Sequence, residues 1–316
     1  MAIMRHSAFG RSQAGTRGRH RIAPGRIEGR KTMMSRLTGA IVRAVLVVLM
    51  IALPSILLPG TPASTAQTVA LVSLVAAIFT IVEYQSNYPS LVEFRDAPPF
   101  NRLRFLALLA TVFALSLISR GEIQPSALTS LTQEIGSRIG DWADFPYSPV
   151  RLIVLILPQS ADPALVDSVR TAAGVSYFFS IVALLVFFAC VRFLGWPSGP
   201  GGFNVWVNLP TFDPTSGGDV VARLHRDAQI NLILGFLLPF LIPALVKIAA
   251  DYNDPINLAN PHTLIWTMTA WAFLPSGLLM RGIALNRVAE MITRQRERAY
   301  ARAEAEDAGS KHYAAT

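Results

Sequence analysis

The chain has 316 residues, 52% of them hydrophobic and 15% charged, with a mean hydropathy of +0.42. Soluble domains carry about a quarter charged residues, so a composition this depleted makes lipid part of the solvent. The net charge of +8 is not that of a nucleic-acid-binding face: residues 1–36 hold nine Lys/Arg against one Glu, and the rest of the chain is balanced. An excess confined to one tail is the pattern that orients a membrane protein.

Membrane lipid is therefore the expected partner, with other membrane or cytoplasmic proteins next and no nucleic acid. Arginine outnumbers lysine 25 to 3, the usage of a GC-rich bacterial genome. The one cysteine, Cys190, lies in an apolar run, which excludes an intrachain disulfide and a Cys-rich metal site.

In chain order, residues 1–36 read as a disordered basic tail. Residues 1–32 lack apolar periodicity, and Met33 and Met34 stand just before the first apolar run, so a start-site artefact is the alternative. About 20 apolar residues are needed to cross hydrocarbon as helix, because every backbone polar group must be satisfied internally. Six stretches meet or approach this length: 37–58, 65–82, 103–119, 175–194, 230–249 and 264–285. The expected fold is an all-α polytopic membrane domain over 37–286, followed by a cytoplasmic helical tail over 287–316. Ser64-Thr65-Ala66 after the first stretch resembles a signal-peptide cleavage site, which would leave five spans.

Counting Lys/Arg in the connections gives 23 on the side of the two termini and five on the other. The positive-inside rule then places both termini in the cytoplasm of a bacterial cell with the chain in its inner membrane.

The outer connection, 120–174, contains Leu128, Leu131, Ile135, Ile139 and Trp142 at helical spacing, read as a helix on the membrane or against the bundle. Residues 150–157 (VRLIVLIL) are too short to span and read as a strand or an interfacial piece. Asp162-Pro163 reads as an N-cap and first turn running into the fourth span.

The two cytoplasmic connections are longer than reversal requires. The first, 84–104, interleaves Tyr88, Phe94 and Phe100 with Arg95 and three prolines. The second alternates apolar and polar residues over 203–209 around Trp206, in the manner of a short strand, and Ser216 with Asp219 resembles a capping box that opens the next helix. Tyr88, Phe94, Arg95, Phe100 and Trp206 are accordingly the candidate partner-binding residues, since aromatic and Arg side chains dominate interfaces. Pro239 and Pro243 in the fifth span and Pro275 and Gly277 in the sixth are candidate hinges. After the sixth span Glu290 and Arg294 are spaced for an i,i+4 pair.

No phosphate-binding loop, HExxH or GxSxG is present, and five scattered histidines have no ligand spacing. No cofactor, metal or catalytic site is expected. The leading expectation is an accessory or scaffold subunit that acts through its cytoplasmic loops. A transporter or channel for an uncharged or lipid-like substrate is the alternative. A membrane enzyme comes third, with Asp213, Asp219, His225 and Asp227 as its clustered polar residues.

Overall fold

The computed structural model describes residues 25–197, 203–213, 215, 217–250 and 257–314, though not the side chains of 25–35, 206 and 307–314. Expectations for residues 1–24 and for Ser216 lie outside this set.

The described residues are helical, with no strand. Six helices are long and apolar enough to cross a membrane. They are α1 (Gly25–Leu57), α2 (Ala63–Gln85), α3 (Phe100–Ile123), α6 (Pro163–Phe193), α8 (Val220–Ala250) and α9 (Pro261–Ala314). At 1.5 Å per residue, the shortest spanning segment, Arg36–Leu57 with 22 residues, covers the roughly 30 Å of hydrocarbon. The chain is a multi-pass membrane protein. Three shorter helices are found among the remaining described residues: α4 (Ala127–Ala143), α5 (Pro149–Val154) and α7 (Val205–Asn208). Because the spans alternate, the start of α1, the connection 86–99, the described residues of the connection between α6 and α8 and the end of α9 share one end of the bundle, here the terminal face. α4, α5 and the short loop 58–62 lie at the distal face.

Several boundaries follow from capping chemistry. Asp162 accepts from the Ala164 amide at 2.9 Å and Pro163 occupies the first turn, so α6 starts below the membrane span and runs into it, as expected. α8 is capped by Asp219, which accepts from the Ala222 amide at 3.3 Å, and is one continuous helix through the fifth span. α1 begins at Gly25, so the end of the segment expected to be a disordered tail is continuous with the first span.

Two stretches, one read as a strand or an interfacial piece and the other as a short strand, are helices. Residues 149–154 form α5 because Ser148 accepts from the Arg151 amide at 3.0 Å ahead of Pro149, a local cap that outweighs an ambiguous apolar run. Residues 205–208 form α7, closed by Asn208 and Leu209 amides donating to the Asn204 and Val205 carbonyls. Alternation alone could not make a strand there: no partner edge exists among the described residues, and a lone strand leaves its backbone groups unpaired.

Small residues set the tightest contacts, as expected where lipid supplies no hydrophobic drive between helices. A Cβ on Gly174 of α6 would fall 2.6 Å from the Gly140 Cα of α4. A Cβ on Gly235 of α8 would fall 2.8 Å from the Pro275 carbonyl oxygen of α9, and one on Gly282 would fall 2.9 Å from the Ala228 carbonyl oxygen. α8 and α9 thus pack backbone to backbone along much of their length. α2, by contrast, packs on α1 alone among the helices, leaving Leu71, Val75, Ile78 and Phe79 exposed to lipid. α4 turns Thr129, Gly136, Gly140 and Ala143 to the bundle and exposes Leu128, Leu131, Ile135 and Trp142, so its apolar stripe faces outward.

Candidate functional site: a braced cap on the terminal face

The connection 86–99 is organised around Glu83, 5% exposed near the end of α2. Its carboxylate accepts the amides of Ser90, Leu91 and Val92, each at 3.1 Å, and the Ser90 hydroxyl. Three backbone donors converging on one carboxylate wrap the loop into a fixed turn. Arg95 closes it from the other side. Its guanidinium donates to the carbonyls of Glu83 at 2.8 Å and Ser86 at 2.7 Å, which are the unpaired carbonyls that end α2.

Phe94 then turns inward with φ of 52°, a left-handed conformation that costs a non-glycine residue energy and persists only when its surroundings enforce it. The enforcement is visible. Its amide donates to the Asn208 carbonyl at 2.7 Å, and its ring lies 4.6 Å from Phe100, 5.5 Å from Trp196 and 6.2 Å from Phe203. Phe187 of α6 joins from below, 5.0 Å from Trp196 and 5.2 Å from Phe100. The Trp196 indole donates to the Ala97 carbonyl at 3.1 Å, and the Asp96 amide donates to the Asn208 side chain at 3.0 Å. The two terminal-face connections therefore form one cap.

Beneath the aromatic cluster lies a charged layer. Arg281 of α9 donates to both oxygens of Glu93, at 2.6 and 2.9 Å, and Thr211 adds a bond to Glu93 at 2.6 Å. Arg104 of α3 sits between the rings of Phe100 and Phe273, 5.4 Å from each centroid. Its Nε has no hydrogen-bond partner among the described residues. Gly277 makes room for it: a Cβ there would lie 3.2 Å from an Arg104 nitrogen.

Of the candidate partner-binding residues, Phe94 and Phe100 are buried at 1% exposure and Arg95 has a side chain 10% exposed. Their surfaces are taken up inside the chain. Tyr88, 72% exposed, is the one that faces outward, and the Trp206 side chain lies outside the described set. The candidate hinges are also engaged. Pro239 and Pro243 are buried in α8, Pro275 packs on Gly235, and Gly277 faces Arg104.

Three of the four polar residues weighed for an enzyme have separate partners among the described residues. Asp219 pairs with Arg296 at 2.7 Å, which holds its carboxyl below the usual range. His225 pairs with Asn286 at 2.9 Å, and Asp213 accepts from Thr215. Glu93, Arg104 and Trp196 are the residues that sequence reasoning passed over. Arg104 carried a signal, since Leu103 and Phe105 on either side of it place a charge just inside an apolar run.

A second apolar feature adjoins the cap. α9 continues past the bundle, its Arg287 and Arg294 pairing with Glu290 at 3.1 and 3.8 Å as the spacing anticipated for Arg294. Between this extension and the cap runs a groove of about 640 Å³, floored by Phe203, Val205 and Ile292 and rimmed by Arg294, Arg298 and Arg302. Comparison with protein-family models, curated proteins and solved structures returns no match.

Proposed function

We propose that the chain is a bacterial inner-membrane protein with both termini in the cytoplasm, acting as an accessory subunit that docks a partner protein on its terminal face. The orientation rests on the arginine distribution and the positive-inside rule. The observation that carries the docking reading is the groove between the cap and the α9 extension. It has an apolar floor and three arginines at i, i+4 spacing along one rim. That combination fits an amphipathic partner helix with an acidic edge. The cap contributes rigidity: Glu83, Arg95 and Phe94 hold Phe203 and Val205 in place, so little ordering is needed on binding.

The test is crosslinking in cells followed by purification in mild detergent, comparing the parent with Arg298→Glu/Arg302→Glu. Loss of the crosslinked protein by tenfold or more, at unchanged membrane abundance, is the expected result. No crosslinked protein with the parent, or equal recovery with the charge reversal, overturns the reading.

One observation favours the second reading, handling of a lipid-like substrate. An apolar cavity of about 400 Å³ lies between α5, α8 and α9, lined by Ile153, Ile242, Val246, Met268 and Trp271 on the stretch of α8 that holds its prolines. Its size and lining suit an acyl or isoprenoid chain. Val246→Trp would fill it. If lipid co-purification is the same in that variant, the cavity is not a chain site.

A further inference from the structure

On the side of the cap away from the groove, α1, α2 and the 86–96 segment enclose a recess of about 270 Å³ lined by Arg36, Arg43, Arg95, Tyr84 and Asp96. Three guanidiniums share this space with one carboxylate. Asp96 stands 3.4 Å from Arg95 and offsets that charge, which leaves the recess with an excess of two. Arg95 is committed to the Glu83 and Ser86 carbonyls. Arg36 and Arg43 are not committed in this way. Arg36 donates to the Asn87 side chain at 3.1 Å, while Arg43 donates to the Gly39 carbonyl at 2.7 Å and lies 4.7 Å over the Tyr84 ring. Each guanidinium carries five N–H donors, more than the bonds that the described residues take from these two exposed side chains.

Depth identifies the ligand. Arg36 opens the first span and Tyr84 stands next to Gln85, the last residue of the second, so the recess lies where lipid headgroups stand. One of its flanks, α2, is the least enclosed span of the bundle. α2 packs on α1 alone, and Ile41, Val45, Ile78 and Val82 are exposed beside it. An acyl chain therefore has an apolar surface running directly away from the charged site.

We infer that this recess binds the phosphate group of an anionic membrane lipid, with Arg36 and Arg43 supplying the charge-assisted hydrogen bonds. Arginine's planar fork suits phosphate oxygens. Arg95 and Asp96 connect the recess to the cap, so an occupied site steadies the loop that holds Phe94. The same phosphate chemistry is offered by a free anion, and the experiment separates the two sources.

The full chain, purified in mild detergent, is titrated with phosphatidylglycerol, with phosphatidylcholine and with inorganic phosphate. Retained lipid and the melting temperature are read for the parent, Arg36→Gln, Arg36→Gln/Arg43→Gln and Arg43→Lys. Phosphatidylglycerol should raise the melting temperature of the parent and stay bound, with affinity at least tenfold weaker in the double Gln variant and largely kept in Arg43→Lys. Phosphatidylcholine should do neither. Equal phosphatidylglycerol binding by parent and double variant overturns the site. An equal response to inorganic phosphate at the same concentration overturns the lipid assignment. Should the double variant fail to fold, Arg36→Gln decides alone, because among the described residues Arg36 makes one side-chain hydrogen bond, to an exposed loop residue; unchanged lipid affinity there also sinks the proposal.

Discussion

The indole N–H of Trp271 donates to the carbonyl oxygen of Pro239 at 3.2 Å, bridging α9 to α8 in a buried site. In an unbroken helix that carbonyl would accept from the amide of residue 243, and residue 243 is a proline with no amide hydrogen. Trp271 thus supplies the donor that Pro243 removed, and the gap in the helix's own bonding is tied to the neighbouring helix.

That relationship predicts a reciprocal pair of effects. Trp271→Phe keeps most of the apolar volume but leaves a buried carbonyl unpaired, at a cost of about 1–3 kcal/mol. Pro243→Ala restores an intrahelical donor, so the same Trp271→Phe change should cost markedly less in that background. A thermal-melting double-mutant cycle in detergent reads the difference. Additive effects would show that the two residues do not share the carbonyl, and free α8 to pivot as a hinge.

The cap makes a different prediction at Phe94. Truncation to alanine removes a fully buried ring that touches three aromatic neighbours, and a loss of about 3–5 kcal/mol is expected. Tyr88→Ala, six residues earlier on an exposed side chain, should stay within about 0.5 kcal/mol. Chemical denaturation of the two variants in the same detergent compares them. Equal, small losses would mean that the cap does not hold Phe94 as described.

At the distal face, the close approach of α4 to α6 rests on two missing side chains. Gly174→Ala would place a methyl group 2.6 Å from the Gly140 backbone, and neither helix can yield without moving the other. Overpacking of this kind costs about 1–3 kcal/mol. Gly217→Ala, where none of the described residues lies within 4 Å, is the control and should be near neutral. Matching melting temperatures for the two variants would contradict the backbone contact between α4 and α6.

Orientation is checked with single cysteines in a Cys190→Ala background. Tyr88→Cys and Ser130→Cys replace exposed residues on opposite faces of the bundle. An impermeant thiol reagent applied to intact cells with a permeabilised outer membrane should label position 130 and spare position 88. The reverse pattern would invert the topology.

Sequence alone determined the six spans, because crossing lipid imposes a length and an apolarity that local composition either meets or does not. The cap at Asp162 and the Glu290–Arg294 pair were equally legible, since each is a relationship within one turn of helix, whereas Asp219 was read as the fourth residue of a box opened by Ser216 and instead caps α8 itself. What α5 and α7 would become was not legible. A short apolar or alternating run is compatible with helix and strand, and in α7 the outcome turned on whether a partner edge existed elsewhere in the fold.

The fate of Phe94, Phe100 and Arg95 was likewise decided by tertiary structure. Aromatic and Arg residues in a long loop have the same composition whether they face a partner or one another. Asn208, 112 residues beyond Asp96, supplies the bonds that turn Phe94 inward. Arg104 shows the same limit: its place among Phe100, Phe273 and Gly277 depends on which helices adjoin α3, and no window of sequence contains that neighbourhood. Local physics fixes where helices start and cross the membrane, whereas contacts between residues far apart in the chain fix which side chains remain available for function.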